Sequence, residues 1–329
     1  MEFHQNRRQQ FLSEAAYKST RDFFEQTAGP GYLDELVSPD ADANDRRRVS
    51  AIYADSCFTN FMLLYTSGEP IDALRHEFES VVDAYEKATK YVQEFSQSAT
   101  FPPLRFIEID EYERVLQLIG FCFLLHRRDM LPRIASMFDP SSASTDTLYE
   151  DLLAFGLDDR YELDSWYHDA PYRDLINTMY RDTEQESISD LQQYLKVWYP
   201  SLAAAPWHNS HLAIDDDSCG GYFGYWAIEA AAVAYLMELD DSSFREHIVY
   251  PKDLVDFARK MDAAAEATST VKEDLSRLRV EGGQPCPQAG YWTTPAQQDS
   301  RRLFKAGEIM PKFDNSAYGA TIWQWSEQQ

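Results

Sequence analysis

Two places in the sequence put side chains capable of chemistry near one another. The segment WHNSHLAIDDD carries His208, His211, Asp215, Asp216 and Asp217. One helical turn brings a His-x-x-His pair to the same side, and nearby carboxylates extend it towards a divalent-metal donor set. A few residues later Glu229 interrupts the most apolar run of the chain, GGYFGYWAIEAAAVAYLMEL, residues 220–239. A carboxylate there is either a general acid or base of raised pKa, or a structural group held by a backbone amide, a tyrosine or an arginine such as Arg259. Neither place completes a catalytic set. No HExxH is present and no third ligand stands at a diagnostic spacing, so the histidines read as capping or surface groups beside an acidic loop. Glu229 shares a helical face with Trp226 and Val233, and with Arg259 these are read as structural core. A metal-dependent helical hydrolase built on Glu229, His208 and His211 is kept as the competing reading.

Other chemistry is harder to find. The sequence holds no GxGxxG, P-loop, GxSxG, EF-hand or zinc-finger pattern, and no cofactor is expected. Cys57, Cys122, Cys219 and Cys286 are far apart, without a CxxC pair, and read as reduced structural thiols. Asp and Glu number 55 against 30 Lys and Arg, a formal charge of -25. Such a chain repels nucleic acid and anionic membranes and attracts basic partners. Arg7, Arg8 and Arg46 to Arg48 read as ion-pairing positions rather than a nucleic-acid site. The run around Glu229 is a poor membrane span, because an unpaired acid at a bilayer centre costs on the order of 3 kcal/mol. Its flanks are acidic as well. The first residues lack an apolar h-region, so no export signal is expected and the compartment read is cytoplasmic.

The elements that must position these groups are mostly helices. Apolar periodicity predicts helices over 6–27, 45–65, 70–95 and a buried one after Asp110, the expected cap. A short helix begins near Pro132. Residues 139–190 hold fourteen acids against three bases. Helices are expected there over 146–155, 172–182 and 187–199. Residues 220–239 are predicted to be the central buried helix, with Ala227, Ala230, Ala231 and Ala234 as a side that another helix can approach closely. A further helix starts at Pro251. From Gly282 the pattern becomes Pro/Gly-rich and aromatic, with GYWTT and ATIWQW as short strands. The fold class is therefore all-α: a multi-helix bundle in two helical subdomains with a small C-terminal irregular/β cap. The domains expected are 1–140, 141–280 and the cap 281–329.

The stretch from Leu191 to Arg259 resembles the C-terminal domain of the PoNi-type immunity proteins. The resemblance is carried by Trp198-Tyr199, Trp207, His211, the aromatic block Tyr222 to Trp226, Glu229-Ala230-Ala231, Asp240-Asp241-Ser242 and Tyr250 to Leu254. The tail looks like the terminal segment of related immunity families. That resemblance implies an all-α bacterial protein encoded beside a polymorphic toxin, in many cases a type VI secretion effector with DNase activity. It implies a non-enzyme that binds and neutralises a cytosol-acting toxin, expected to be a basic nuclease. The acidic clusters Asp158, Asp159, Glu162 and Asp164, and Asp215, Asp216 and Asp217, are the expected toxin-binding faces, with no nucleic acid or membrane as partner and a homodimer left open.

Overall fold

The structure, a computed structural model, describes residues 3–27, 41–214, 221–297, 299–313 and 321–326, with the backbone alone at 25, 27 and 268–277. The chain divides into two compact units, residues 1–259 and 260–329.

The first unit is helical. It begins with α1 (Phe3–Asn6) and α2 (Glu14–Thr27). A long hairpin follows, α3 (Ala43–Ser67) and α4 (Ile71–Ser96). Asp42 caps α3 by accepting from the Asp45 amide at 2.8 Å. Gly68 ends it at φ +100, where a Cβ would sit 2.1 Å from the Asn6 carbonyl, so only glycine fits. Next come α5 (Ile109–Leu124), α6 (Leu131–Ser142) and α7 (Thr147–Ala154). The unit closes with α8 (Tyr172–Met179), α9 (Glu184–Ser201), α10 (Ile228–Leu236) and the start of α11 (Lys252–Arg277).

The core sits between the α3–α4 hairpin and α5. Phe61 meets Phe121 edge-on at 5.0 Å, and Phe78 lies 5.8 Å from Phe121. Each of these rings is fully buried, contributing on the order of 2 kcal/mol apiece. Helix α5 also packs on α10. Gly120 allows the approach, since a Cβ there would stand 3.1 Å from the Ile228 side chain and 3.4 Å from Ala232. No described helix is long and apolar enough to cross a membrane.

Several elements differ from the sequence expectation. The predicted helix over 6–27 is broken between α1 and α2, because that link reaches across the unit instead. The Arg8 amide donates to the Thr66 carbonyl at 2.8 Å, its guanidinium pairs with Asp253, and Gln9 is buried. Asp110 stands in the first turn of α5, whose cap position is Glu108. The predicted helix over 220–239 is helical only from Ile228 to Leu236. Residues 222–227 are non-helical yet mostly buried. Their polar groups find distant partners: Thr66 donates to the Phe223 carbonyl, and the Ala227 amide to the Val249 carbonyl. Gly224, at φ +112, would put a Cβ 2.1 Å from the Thr66 hydroxyl. The left-handed glycine and the close approach stop the helix from running backwards. The helix expected from Pro251 is α11, which runs to Arg277.

In the second unit four short strands form an antiparallel sheet: β1 (Arg279–Glu281), β2 (Gly290–Thr293), β3 (Arg302–Phe304) and β4 (Ile322–Trp325). Their order is β1-β4-β2-β3. The strands expected in GYWTT and ATIWQW are β2 and β4. Trp292, Trp323, Phe304, Met310 and Cys286 make the unit's own small core. The molecule is thus all-α with a small β cap, the fold class read from the sequence.

Candidate partner-binding surface

Glu229 is fully buried in the first turn of α10. Its Oε1 accepts from the Tyr194 hydroxyl at 2.6 Å and from the Trp198 indole at 2.7 Å, both on α9. Tyrosine and tryptophan therefore hold it, and Arg259 does not. Arg259 donates to Asp241 at 3.2 Å and to the Leu239 carbonyl at 2.7 Å. Trp226 precedes α10, with its indole on the Thr66 hydroxyl at 2.9 Å and its ring 5.0 Å from Tyr65.

A second buried carboxylate, Glu113 on α5, has the same kind of support. Its Oε2 accepts from the Trp207 indole at 3.0 Å and its Oε1 from Gln117 at 2.9 Å. Burial pushes Glu229 up to about 7, against the hydrogen bonds from Tyr194 and Trp198. Burial, and then the charge of Glu229, hold Glu113 well above the usual carboxylate range. A carboxyl titrating near neutrality suits proton transfer. These two are 0% and 3% exposed, however, so a substrate reaches neither. They act as internal acceptors that orient indoles.

The histidines of the competing reading have separate surroundings. His208 stacks on Tyr199 at 4.2 Å, and His211 Nδ1 meets the Tyr225 hydroxyl at 2.8 Å. Among the described residues no group of three His, Cys, Asp or Glu side chains stands ready for a metal ion. Asp215, Asp216 and Asp217 lie outside the described residues.

The other acidic cluster is well defined. Residues 158–166 link α7 towards α8 without regular structure. Arg160 anchors this loop from below. Its Nε meets Glu150 at 2.7 Å, and its two terminal nitrogens meet Asp139 at 2.8 and 2.9 Å. Glu150 is fully buried and also accepts from the Ser144 amide at 2.7 Å. Because Arg160 is spent on these internal acids, Asp158, Asp159, Glu162 and Asp164 are left exposed with no described ion-pair partner. Tyr161, Tyr167 and Tyr180, at 53%, 43% and 62% exposed, supply aromatic surface on the same segment and on the end of α8. Acid interspersed with exposed tyrosine is a surface suited to a basic protein, since rings give contact area while charge steers the encounter.

Three residues that hold this frame were not singled out in the sequence: Gln9, Glu113 and Glu150. Gln9 joins the N-terminal link to the aromatic block, donating to the Tyr225 and Ile248 carbonyls at 2.6 and 2.9 Å and accepting from the Tyr225 amide at 2.9 Å. No local pattern marks a buried polar residue whose partners are more than two hundred positions away. The arginines read as ion-pairing positions largely are so: Arg8 with Asp253, Arg46 with Glu94 and Arg48 with Asp45.

Residues 144–254 match the family model described as PoNe immunity proteins (PoNi), C-terminal. That span contains the acidic loop, Glu229 and its two α9 partners. Among solved structures, the crystal structure of protein PA2201 from Pseudomonas aeruginosa is similar with a TM-score of 0.60 at 19% identity. The match covers 78% of this chain and 92% of that one. At this identity the likeness shows a shared fold alone. No curated protein matches the chain.

Proposed function

We propose that this chain, which carries a PoNi-type immunity-protein domain over residues 144–254, binds a basic nuclease toxin through its acidic loop and blocks it without chemistry of its own. The family match implies immunity against a polymorphic toxin. The finer reading is of a toxin acting in the cytoplasm, delivered by a type VI secretion system, and neutralised by direct contact. The observation that carries it is the coincidence of that match with an exposed, unpaired acidic loop fixed from beneath by Arg160. A nuclease groove is basic because it must hold phosphates, and Asp158, Asp159, Glu162 and Asp164 offer it charge of the opposite sign. The second face, Asp215 to Asp217, is proposed on charge alone. Neither nucleic acid nor membrane suits a chain of net charge -25.

The test is charge reversal. Lysines at 158, 159, 162 and 164, and separately at 215 to 217, are assayed for binding to a PoNe toxin domain and for protection of cells that express it. Loss of both activities in the first variant, with an unchanged melting temperature, supports the loop. Full protection by that variant removes it.

A further inference from the structure

The C-terminal ends of α7 and α8 meet at a small surface pocket of about 290 Å³, lined by Asp151, Ala154, Phe155, Met179 and Tyr180. Its lining is apolar apart from the Asp151 carboxyl and the Tyr180 hydroxyl. The Tyr180 hydroxyl donates to both Asp151 oxygens, at 3.0 and 2.8 Å, which fixes the ring at the pocket edge while leaving it largely exposed. Asp151 is half-buried, and among the described residues it has no cation beside it. Its carboxyl is raised first by burial, against the lowering hydrogen bond from Tyr180, and the neighbouring acids Asp146, Glu150 and Glu162 raise it further. Tyr180 is pushed up to about 12 by burial, by Asp151, and by the charges of Glu162 and Asp164. Two exposed acids of the loop thus act on this pocket. Two helices end at its lining, α7 at Ala154 and α8 at Met179. The chain already places one guanidinium at this edge: Arg128 donates to the Phe155 carbonyl at 3.1 Å.

Apolar walls, an exposed tyrosine ring and a half-buried carboxylate with no described ion-pair partner together describe a receptor for a long cationic side chain. The methylene stem of an arginine or lysine would lie on Phe155 and Met179, and its head would meet Asp151 and the Tyr180 ring. We infer that this pocket seats one basic side chain of the bound toxin and is the anchor point of the interface. The inference rests on the immunity reading and sharpens it, since it puts the specific contact beside the acidic loop and not on it. The loop steers the partner, and the pocket holds it.

The experiment measures affinity of the full chain and three variants for a PoNe toxin domain. Tyr180→Ala removes the ring, Asp151→Asn the charge, and Ala154→Lys puts a cation on the pocket's own wall from an exposed helix end. The variants are expected to bind at least 10-fold more weakly, chiefly through faster dissociation, with Ala154→Lys alone sufficient if either of the others melts early. Affinities of all three within twofold of the parent overturn the pocket while leaving the immunity reading intact. Failure of the parent chain itself to bind removes both.

Discussion

Trp198 and Trp207 stack with their centroids 5.5 Å apart and 19° between planes, and each donates its indole N–H to a different buried glutamate, Glu229 and Glu113. The stack links α9 to the loop after it, and through the two acids ties both to α5 and α10. The carboxylates sit in the core of the helical unit and hold the two indoles in place.

This arrangement makes stability depend on pH with a definite sign. The folded-state pKa of Glu229 is raised from 4.5 to about 7. A raised carboxyl binds its proton more tightly when folded. Its favourable contribution is therefore complete below pH 4.5 and is lost as pH climbs to about 7, a change of about 3 kcal/mol. Glu229→Gln keeps an acceptor for Tyr194 and Trp198 but cannot ionise. The difference in unfolding free energy between parent and variant should move in the variant's favour by that amount from pH 4.5 to 7.5. Parallel pH profiles would show that Glu229 is not raised in the folded state.

Gln9 offers a second check. Replacing it by alanine leaves the Tyr225 amide and the Tyr225 and Ile248 carbonyls without their partner. The expected cost is about 3 kcal/mol, because buried polar groups lose hydrogen bonds that water cannot replace. Chemical denaturation of Gln9→Ala measures it; a loss below about 0.5 kcal/mol would mean that the link between α1 and α2 is not held as described.

For the acidic loop, charge and placement can be separated at Arg160. Arg160→Ala makes the surface more acidic, so a purely electrostatic interface would gain affinity. Removing the buried anchor on Glu150 and Asp139 instead frees the loop, and breaking such a pair costs about 3 kcal/mol. Lower stability together with weaker toxin binding is the expected outcome, read by calorimetry. Tighter binding would show that loop geometry does not matter.

The thiols should be inert. Burial pushes Cys57 up to about 11 and Cys122 well above the usual thiol range, so neither supplies a thiolate near neutral pH. In native protein a chromogenic disulfide reagent is expected to spare both, with reaction appearing on denaturation. Rapid labelling of either in the folded state would contradict their burial.

Much of this fold was readable from spacing. The α3–α4 hairpin follows from apolar residues at helical intervals and a glycine stop, and the two aromatic strands of the cap from alternation and flanking turns. What sequence spacing does not carry is non-local. The apolar run 220–239 has helical composition throughout, yet its first part is held straight by Gln9, Thr66 and Val249, residues no window contains. Glu113 sits among charges in a helix's first turns and looks solvent-facing; its burial is decided by Trp207, ninety-four positions later. Arg259 is a candidate partner for Glu229 by charge alone, but Asp241 is the acid within its reach. The acidic loop was visible as composition, whereas its anchoring by Arg160 and the pocket at Tyr180 depend on where α7 and α8 end.

Co-expression tests immunity by direct binding. The full chain is co-expressed in bacteria with a PoNe toxin domain, and survival is scored together with co-purification. Restored growth and a stoichiometric complex are predicted. Unabated killing, with no complex recovered from cells containing both soluble proteins, would contradict the account.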